Sequence, residues 1–280
     1  MPELAYLNGE ILPIDKALVP IEDRGYQFGD AVYEFIASCN GRLFYLEEHL
    51  DRLERSLKGL SFPPVSRETI RSAVLALFGK AAIDRAGIYI QISRGVSPRN
   101  HAFPDGVGPQ IVMTVREIEE KPPELRKNGA AAITVEDYRW GRCDLKTVQL
   151  LPNVLAKQKA LAAGVFDAIF VSAEGVVREA TSSNACIVAD GIVITHPLTP
   201  QILPGITRMV VIDLCRELGI AVSERYFKTD ALYGAAEAFL TGTVTEVLPI
   251  VTIDGHRIGD GRVGPITKRL YETLHQRAGC

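Results

Sequence analysis

Four short dipeptides constrain this chain more than anything else in it. "AYLNGEIL", "ASCNGRLF", "IVADGIVIT" and "VTIDGHRI" each set an Asn-Gly or Asp-Gly between two apolar runs. These pairs supply the two successive positive-φ residues that a tight two-residue hairpin requires. Hairpins this frequent predict antiparallel sheets instead of the strand–helix–strand alternation of a parallel one. Helices are interspersed. In "LEEHLDRLERSLKGL" the residues Leu46, Leu50, Leu53, Leu57 and Leu60 recur at helical spacing and form one apolar face. "NVLAKQKALAAG" and "ITRMVVIDLCRELG" end in Gly164 and Gly219, placed as helix stops. The expected fold class is α+β.

At 280 residues the chain calls for one large or two modest domains. The stretch "IEEKPPELRKNG" is charged, carries a double proline and lacks periodicity. It reads as a linker over 119–129, joining a small N-terminal α+β domain (1–118) to a larger C-terminal one (130–280). Apolar residues at 47% and charged ones at 23% suit a packed soluble enzyme. A net charge of -3 argues against a nucleic-acid partner, which would want a basic face. No apolar run nears the ~18 residues of a membrane helix, and "MPELAYLNGE" has no signal-peptide pattern. The five cysteines are scattered, without a Cys-x-x-Cys pair for zinc, and suit reduced thiols. A cytoplasmic protein is expected, with no metal.

Candidate chemistry begins with Lys146 in "YRWGRCDLKTVQLLPNVLAKQ", two steps before a run, Val148 to Leu151, that reads as buried. Lysine seldom sits near a core without a partner. One reading has its stem covering apolar surface with its head in water. The other is an amine desolvated enough to form a Schiff base. In "VVREATSSNACIV", Glu179 precedes a cluster of hydroxyls and then a strand. The hydroxyls could simply close a turn on their own backbone, or the acid could keep a pyridine nitrogen protonated. Gly205, Ile206 and Thr207 stand where a turn enters a helix. That is an anion site, or else a plain cap by Thr207. Arg52 could clamp a phosphate or be a solvated helix arginine. Thr243, in a small-residue loop, is a further phosphate donor. Arg99 and His101 on the loop "SRGVSPRNHAFP" suit a carboxylate, or an ordinary surface. Tyr33 enters a strand, where tyrosine also serves as packing. No one of these decides. Taken together they supply an amine for an aldehyde, an acid for a pyridine nitrogen, donors for a phosphate and a trap for a carboxylate. That inventory is pyridoxal phosphate chemistry.

The chain resembles the fold-type-IV pyridoxal-phosphate aminotransferases, most closely their bacterial branch acting on D-amino acids. The resemblance runs over nearly the whole chain through "EDRGYQFGD", "HLDRL", "SRGVSPRNHAFP", "RWGRCDLKTVQLLPNVLAKQ", "REATSSN", "ILPGITR" and "TGTVTEV", in that order. It implies a two-domain α+β fold with the cofactor in the interdomain cleft. It implies that Lys146 is the Schiff-base lysine and proton shuttle, and that Glu179 faces the pyridine nitrogen. Arg52, Ile206, Thr207 and Thr243 would hold the phosphate, with Leu203 against the ring. Tyr33, Arg99 and His101 would take the substrate carboxylate, the last two from the other subunit of a homodimer. The implied activity is ping-pong transamination between D-amino acids of the D-alanine or D-glutamate type and 2-oxo acids such as 2-oxoglutarate or pyruvate. The chain departs from the family's usual pattern at Ala180, where glycine is common, and at Gly242, where serine is. The second change would remove one phosphate hydrogen bond, worth ~1 kcal/mol. Rival readings are a branched-chain L-amino-acid aminotransferase, an aminodeoxychorismate lyase, and a cofactor-binding protein without turnover. Arg99 and His101 favour the D-specific reading.

Overall fold

All four expected hairpin turns form, and each uses left-handed backbone at both central residues: φ is 48° and 112° at Asn8-Gly9, and 47° and 72° at Asn40-Gly41. Asp190-Gly191 and Asp254-Gly255 behave alike. The computed structural model describes residues 3–280. It divides into two units. The first runs to Glu119 and includes Leu145–Gln149; the second holds Glu120–Asp144 and Leu150–Cys280.

In the first unit, β1 (Leu4–Leu7), β2 (Glu10–Pro13), β3 (Ala31–Cys39), β4 (Arg42–Leu43), β5 (Ala86–Ser93) and β6 (Gln110–Glu117) form one sheet in the order β2-β1-β6-β5-β3-β4. Every pairing in it is antiparallel. A short helix, α1 (Arg24–Phe28), precedes β3, and α2 (Leu46–Gly59) and α3 (Arg67–Ala81) follow β4. Strand alternation turns Val32 and Ile36, Ile88, Ile90 and Ile92, and Met113 and Val115 toward one face. There they meet Leu50, Leu53 and Leu57 of α2 and Ile70, Val74 and Leu77 of α3, all buried. The leucine face read from the sequence is therefore the core face of α2. Residues 145–149 join this unit because β4 covers only the far end of β3. The exposed edge at its start takes them as an added rung: Tyr33 N–H donates to Lys146 O at 2.9 Å and Val148 N–H to Ala31 O at 3.2 Å.

The second unit contains α4 (Pro123–Asn128), β7 (Ala130–Glu136), α5 (Leu151–Ala162), β8 (Asp167–Val171), β9 (Val177–Ala180), β10 (Asn184–Ala189), β11 (Ile192–Thr195) and α6 (Ile206–Glu217). It continues with β12 (Val222–Glu224), α7 (Thr229–Tyr233), β13 (Glu237–Gly242), β14 (Glu246–Ile253), β15 (His256–Arg257) and α8 (Pro265–Ala278). The sheet order is β12-β11-β10-β13-β14-β7-β8-β9, with β15 beside β14. Purely antiparallel pairing, expected from the hairpins, fails here. β7–β8 and β11–β12 are parallel, because α5 and α6 carry the chain back to the starting edge, and β14 also runs parallel to β7. The segment read as a linker includes α4, whose Arg126 donates to Val247 O and pairs with Glu246. Two expectations need correcting. Val148 and Leu150 are half-buried and Gln149 and Leu151 exposed, so the run after Lys146 is not a buried one. Cys143, Cys186 and Cys215 are free thiols, whereas Cys39 and Cys280 are disulfide-bonded.

Candidate active site

In the first unit, Lys146 is half-buried on the added rung, with its backbone fixed on both sides. Besides the bond from Tyr33, its own N–H donates to Ser56 Oγ at 3.1 Å. Its ammonium lies 4.3 Å from the centre of the Tyr33 ring, within cation–π range. Tyr33 points away from the apolar core, next to Tyr89 at 5.7 Å between ring centres. Burial pushes the Tyr89 phenol up to about 12. Lys146 and Tyr33 are thus brought together on the polar face of the sheet.

Arg52 is not a solvated helix arginine. It is 3% exposed, and its guanidinium forks onto Glu34: Nε to Oε1 at 2.7 Å and Nη2 to Oε2 at 2.8 Å. Glu34 occupies the core-facing parity of β3, between Val32 and Ile36, and is completely buried. Burial alone would raise its carboxyl, but Arg52 and then His49 bring it from 4.5 down to about 2. His49 Nδ1 lies 2.7 Å from Glu34 Oε2. An ionised carboxylate only accepts, so this nitrogen carries the hydrogen. Burial holds the imidazole below its usual value, hence neutral. Its Nε2 is buried with no hydrogen-bond partner among the described residues. The sequence reading missed Glu34 and His49. A carboxylate at an apolar parity of a strand was the available signal.

Arg99 and His101 are exposed on the loop after β5. Both lean on Phe28, Arg99 at 4.4 Å from the ring centre and the His101 ring at 5.4 Å.

In the second unit, Glu179 sits at the end of β9 with its carboxylate held by three donors. Arg139 Nη1 reaches Oε1 at 2.5 Å; Asn184 Nδ2 and Leu203 N–H reach Oε2 at 2.9 and 3.0 Å. Desolvation raises the Glu179 pKa, and Arg139 opposes that rise. Arg139 is itself locked by Asp137 at 2.9 Å and stacked on Phe170. A carboxylate offers about four acceptor positions. Three are taken among the described residues, which leaves one for a further N–H. Leu203 is joined to the same node, since its carbonyl accepts from Asn184 Nδ2 at 2.8 Å. Arg139 and Asn184 were missed in the sequence; neither forms a motif alone.

Gly205 caps α6, and no side chain caps it among the described residues, so the first amides, Ile206 and Thr207, keep their hydrogens available to an anion. Thr207 is inside the helix and 3% exposed, which removes the reading of it as the cap. Thr243 follows β13 in a turn. The hydroxyls after Glu179 do not close on their own backbone: Thr181 donates to Asp167 at 2.5 Å and Ser183 to Thr245 at 3.2 Å. At Gly242 a Cβ would stand 3.1 Å from Ser183 Oγ and 3.3 Å from Ser182 O, a tight fit that would need Ser183 to shift slightly.

Comparison with known proteins places this arrangement. Residues 31–253 match the family model described as amino-transferase class IV. The chain belongs to that family. It is 42% identical to D-alanine aminotransferase of Bacillus licheniformis over 268 residues, covering 95% of this chain and 94% of the relative. It is 40% identical to the D-alanine aminotransferase of Staphylococcus haemolyticus, covering 97% and 96%. Among solved structures, the Escherichia coli branched-chain amino acid aminotransferase shares the fold with a TM-score of 0.92 at 27% identity, over 99% of this chain and 94% of that one. A second branched-chain amino acid aminotransferase, from T.th. and solved with pyridoxamine 5'-phosphate, gives 0.92 at 28%, over 100% and 95%. The class IV aminotransferase fold is therefore shared with enzymes named for two substrate classes.

Proposed function

We propose that this aminotransferase moves amino groups between D-amino acids, of the D-alanine or D-glutamate type, and 2-oxo acids such as pyruvate or 2-oxoglutarate, in two ping-pong halves. The observation that carries the chemistry is the Glu179 clamp, a buried carboxyl group held by three donors, with one acceptor position left among the described residues for a ring N–H. The substrate hand rests on the identity of about two residues in five with the D-alanine enzymes, against 27–28% with the branched-chain ones.

The residues fit pyridoxal 5'-phosphate. When bound, that group supplies an electron sink for the charge that develops at the substrate Cα. Lys146 Nζ would hold it, and the same amine is placed to take the substrate Cα proton and hand it on. Its fastened backbone keeps the amine from wandering, which proton transfer requires. Glu179, which Arg139 favours in its charged form against the desolvation that raises its pKa, would hold a proton on the ring nitrogen. The amides of Ile206 and Thr207, the Thr243 hydroxyl and Arg52 would hold the phosphate, and Leu203 would pack on the ring. Tyr33 orients the substrate carboxylate, with Arg99 and His101 reaching it from a second copy in a homodimer. No described helix is long and apolar enough to cross a membrane; the working compartment proposed is the cytoplasm.

Borohydride reduction of the loaded protein, followed by peptide mapping, should place the label on Lys146. Label on any other side chain would end this reading. D-Alanine should bleach the cofactor's absorption far faster than L-alanine or L-leucine, and the reverse order would move the chain to the branched-chain class.

A further inference from the structure

The loop bearing Arg99 and His101 is fastened from beneath by groups that the function above leaves unused. Arg24, on α1, is 3% exposed. Its Nη1 donates to Asn100 O at 2.6 Å, its Nη2 reaches His101 O at 3.5 Å, and its Nε donates to Asp30 at 2.8 Å. Asp30 also takes Arg94, at 2.9 and 3.1 Å. Arg94 is buried too, donates to Ser61 O and Leu60 O, and lies between the Phe62 and Phe103 rings. The Phe28 ring has Arg24 at 4.8 Å and Arg99 at 4.4 Å from its centre.

Two buried arginines share the Asp30 carboxylate; Arg24 extends from it to the loop backbone, and Arg94 meets the loop through the Phe103 ring. The carbonyls that Arg24 holds belong to Asn100 and His101, next to the Arg99 side chain and at the root of the His101 one. We propose that Arg24 is a positioning residue for the substrate carboxylate. It fixes the backbone between Arg99 and His101 and, through Phe28, the direction in which Arg99 presents its guanidinium. The loop then meets the carboxylate already ordered, and binding need not supply that ordering. This inference rests on the reading of Arg99 and His101 as a carboxylate trap.

Lysine cannot replace Arg24, because one ammonium cannot reach Asp30 and two carbonyls in a fixed fork. In loaded Arg24→Lys protein, hydrogen exchange across 98–103 should quicken at least tenfold while β3 and β5 stay protected. The KM for D-alanine and the inhibition constant of propionate, a carboxylate without an amine, should rise together about tenfold. The kcat should stay within threefold. Phe28→Leu, which leaves the Arg24–Asp30 pair intact, should shift both constants about threefold and stands as the test if Arg24→Lys does not fold. Should exchange quicken while both constants stay within twofold, or should exchange not change, positioning by Arg24 is wrong. Arg99→Ala separates the two ideas. If it leaves the propionate constant unchanged, the carboxylate trap itself fails. If it weakens propionate while the Arg24 and Phe28 variants do not, only the present inference falls.

Discussion

Glu34→Gln should cost the first unit about 3 kcal/mol, and two routes give that size. Removing one partner of a buried ion pair typically costs ~3–5 kcal/mol, because the other charge is left without compensation. Independently, the carboxyl is lowered from 4.5 to about 2 in the fold. At ~1.4 kcal/mol per unit, this amounts to roughly 3 kcal/mol. The glutamine amide can accept one Arg52 N–H, but its NH2 group turns a donor toward donors. The sign of the pH effect follows. Since the folded value lies below the unfolded one, the wild type has this stability in full above pH 4.5. It loses it as the pH falls toward about 2. The variant lacks it throughout, so the two proteins should converge in acid. Trp140, the sole tryptophan, lies in the second unit, so a probe within the first is chosen. The assay is therefore hydrogen exchange of the β3 and β5 amides, read as opening free energies between pH 6 and 8. Arg52→Met in the Glu34→Gln background should cost far less than the sum of the two single changes. A loss below ~1 kcal/mol, or additivity in the double variant, would refute a desolvated pair whose worth depends on both charges.

Three further outcomes follow from close contacts. Gly59→Ala in α2 would ordinarily add ~1 kcal/mol of helix propensity. Here the new Cβ would lie 2.5 Å from Leu145 Cδ2, beside Lys146, so turnover should drop and melting temperature should not rise. Gly205→Ala puts a Cβ 2.1 Å from Asn184 Oδ1, and Asn184 holds Glu179. Cofactor affinity, measured by equilibrium dialysis, should weaken at least tenfold; unchanged affinity would show that Asn184 can move freely. Arg139→Gln removes the charge opposing the desolvation of Glu179, which raises the Glu179 pKa further. The variant should need higher pH than wild type for full turnover, and an unshifted pH profile would detach Arg139 from Glu179.

Much of this could be read along the chain, and the reason is that the relevant physics is local. Asn8-Gly9 and its three counterparts need only their own backbone to turn left-handed. The spacing of Leu50, Leu53 and Leu57 needs only helical periodicity to define a core face. Gly164 and Gly219 end their helices with φ of 70° and 69°, again a local property. Other features answer to partners remote in sequence. Arg52 looks the same in sequence whether solvated or buried, and Glu34, eighteen positions back, decides which. Arg139 meets Glu179 across forty positions. The parallel pairings of β7 and β11 depend on where α5 and α6 return the chain.

The sequence alone thus settled the turns, the apolar faces and the kinds of group available for chemistry, since each depends on a few neighbouring residues. Only the folded chain decided which charges lose their water and which opposite charge each then finds. Desolvation and pairing are properties of three-dimensional neighbourhoods, and two residues far apart in the chain share one only after folding.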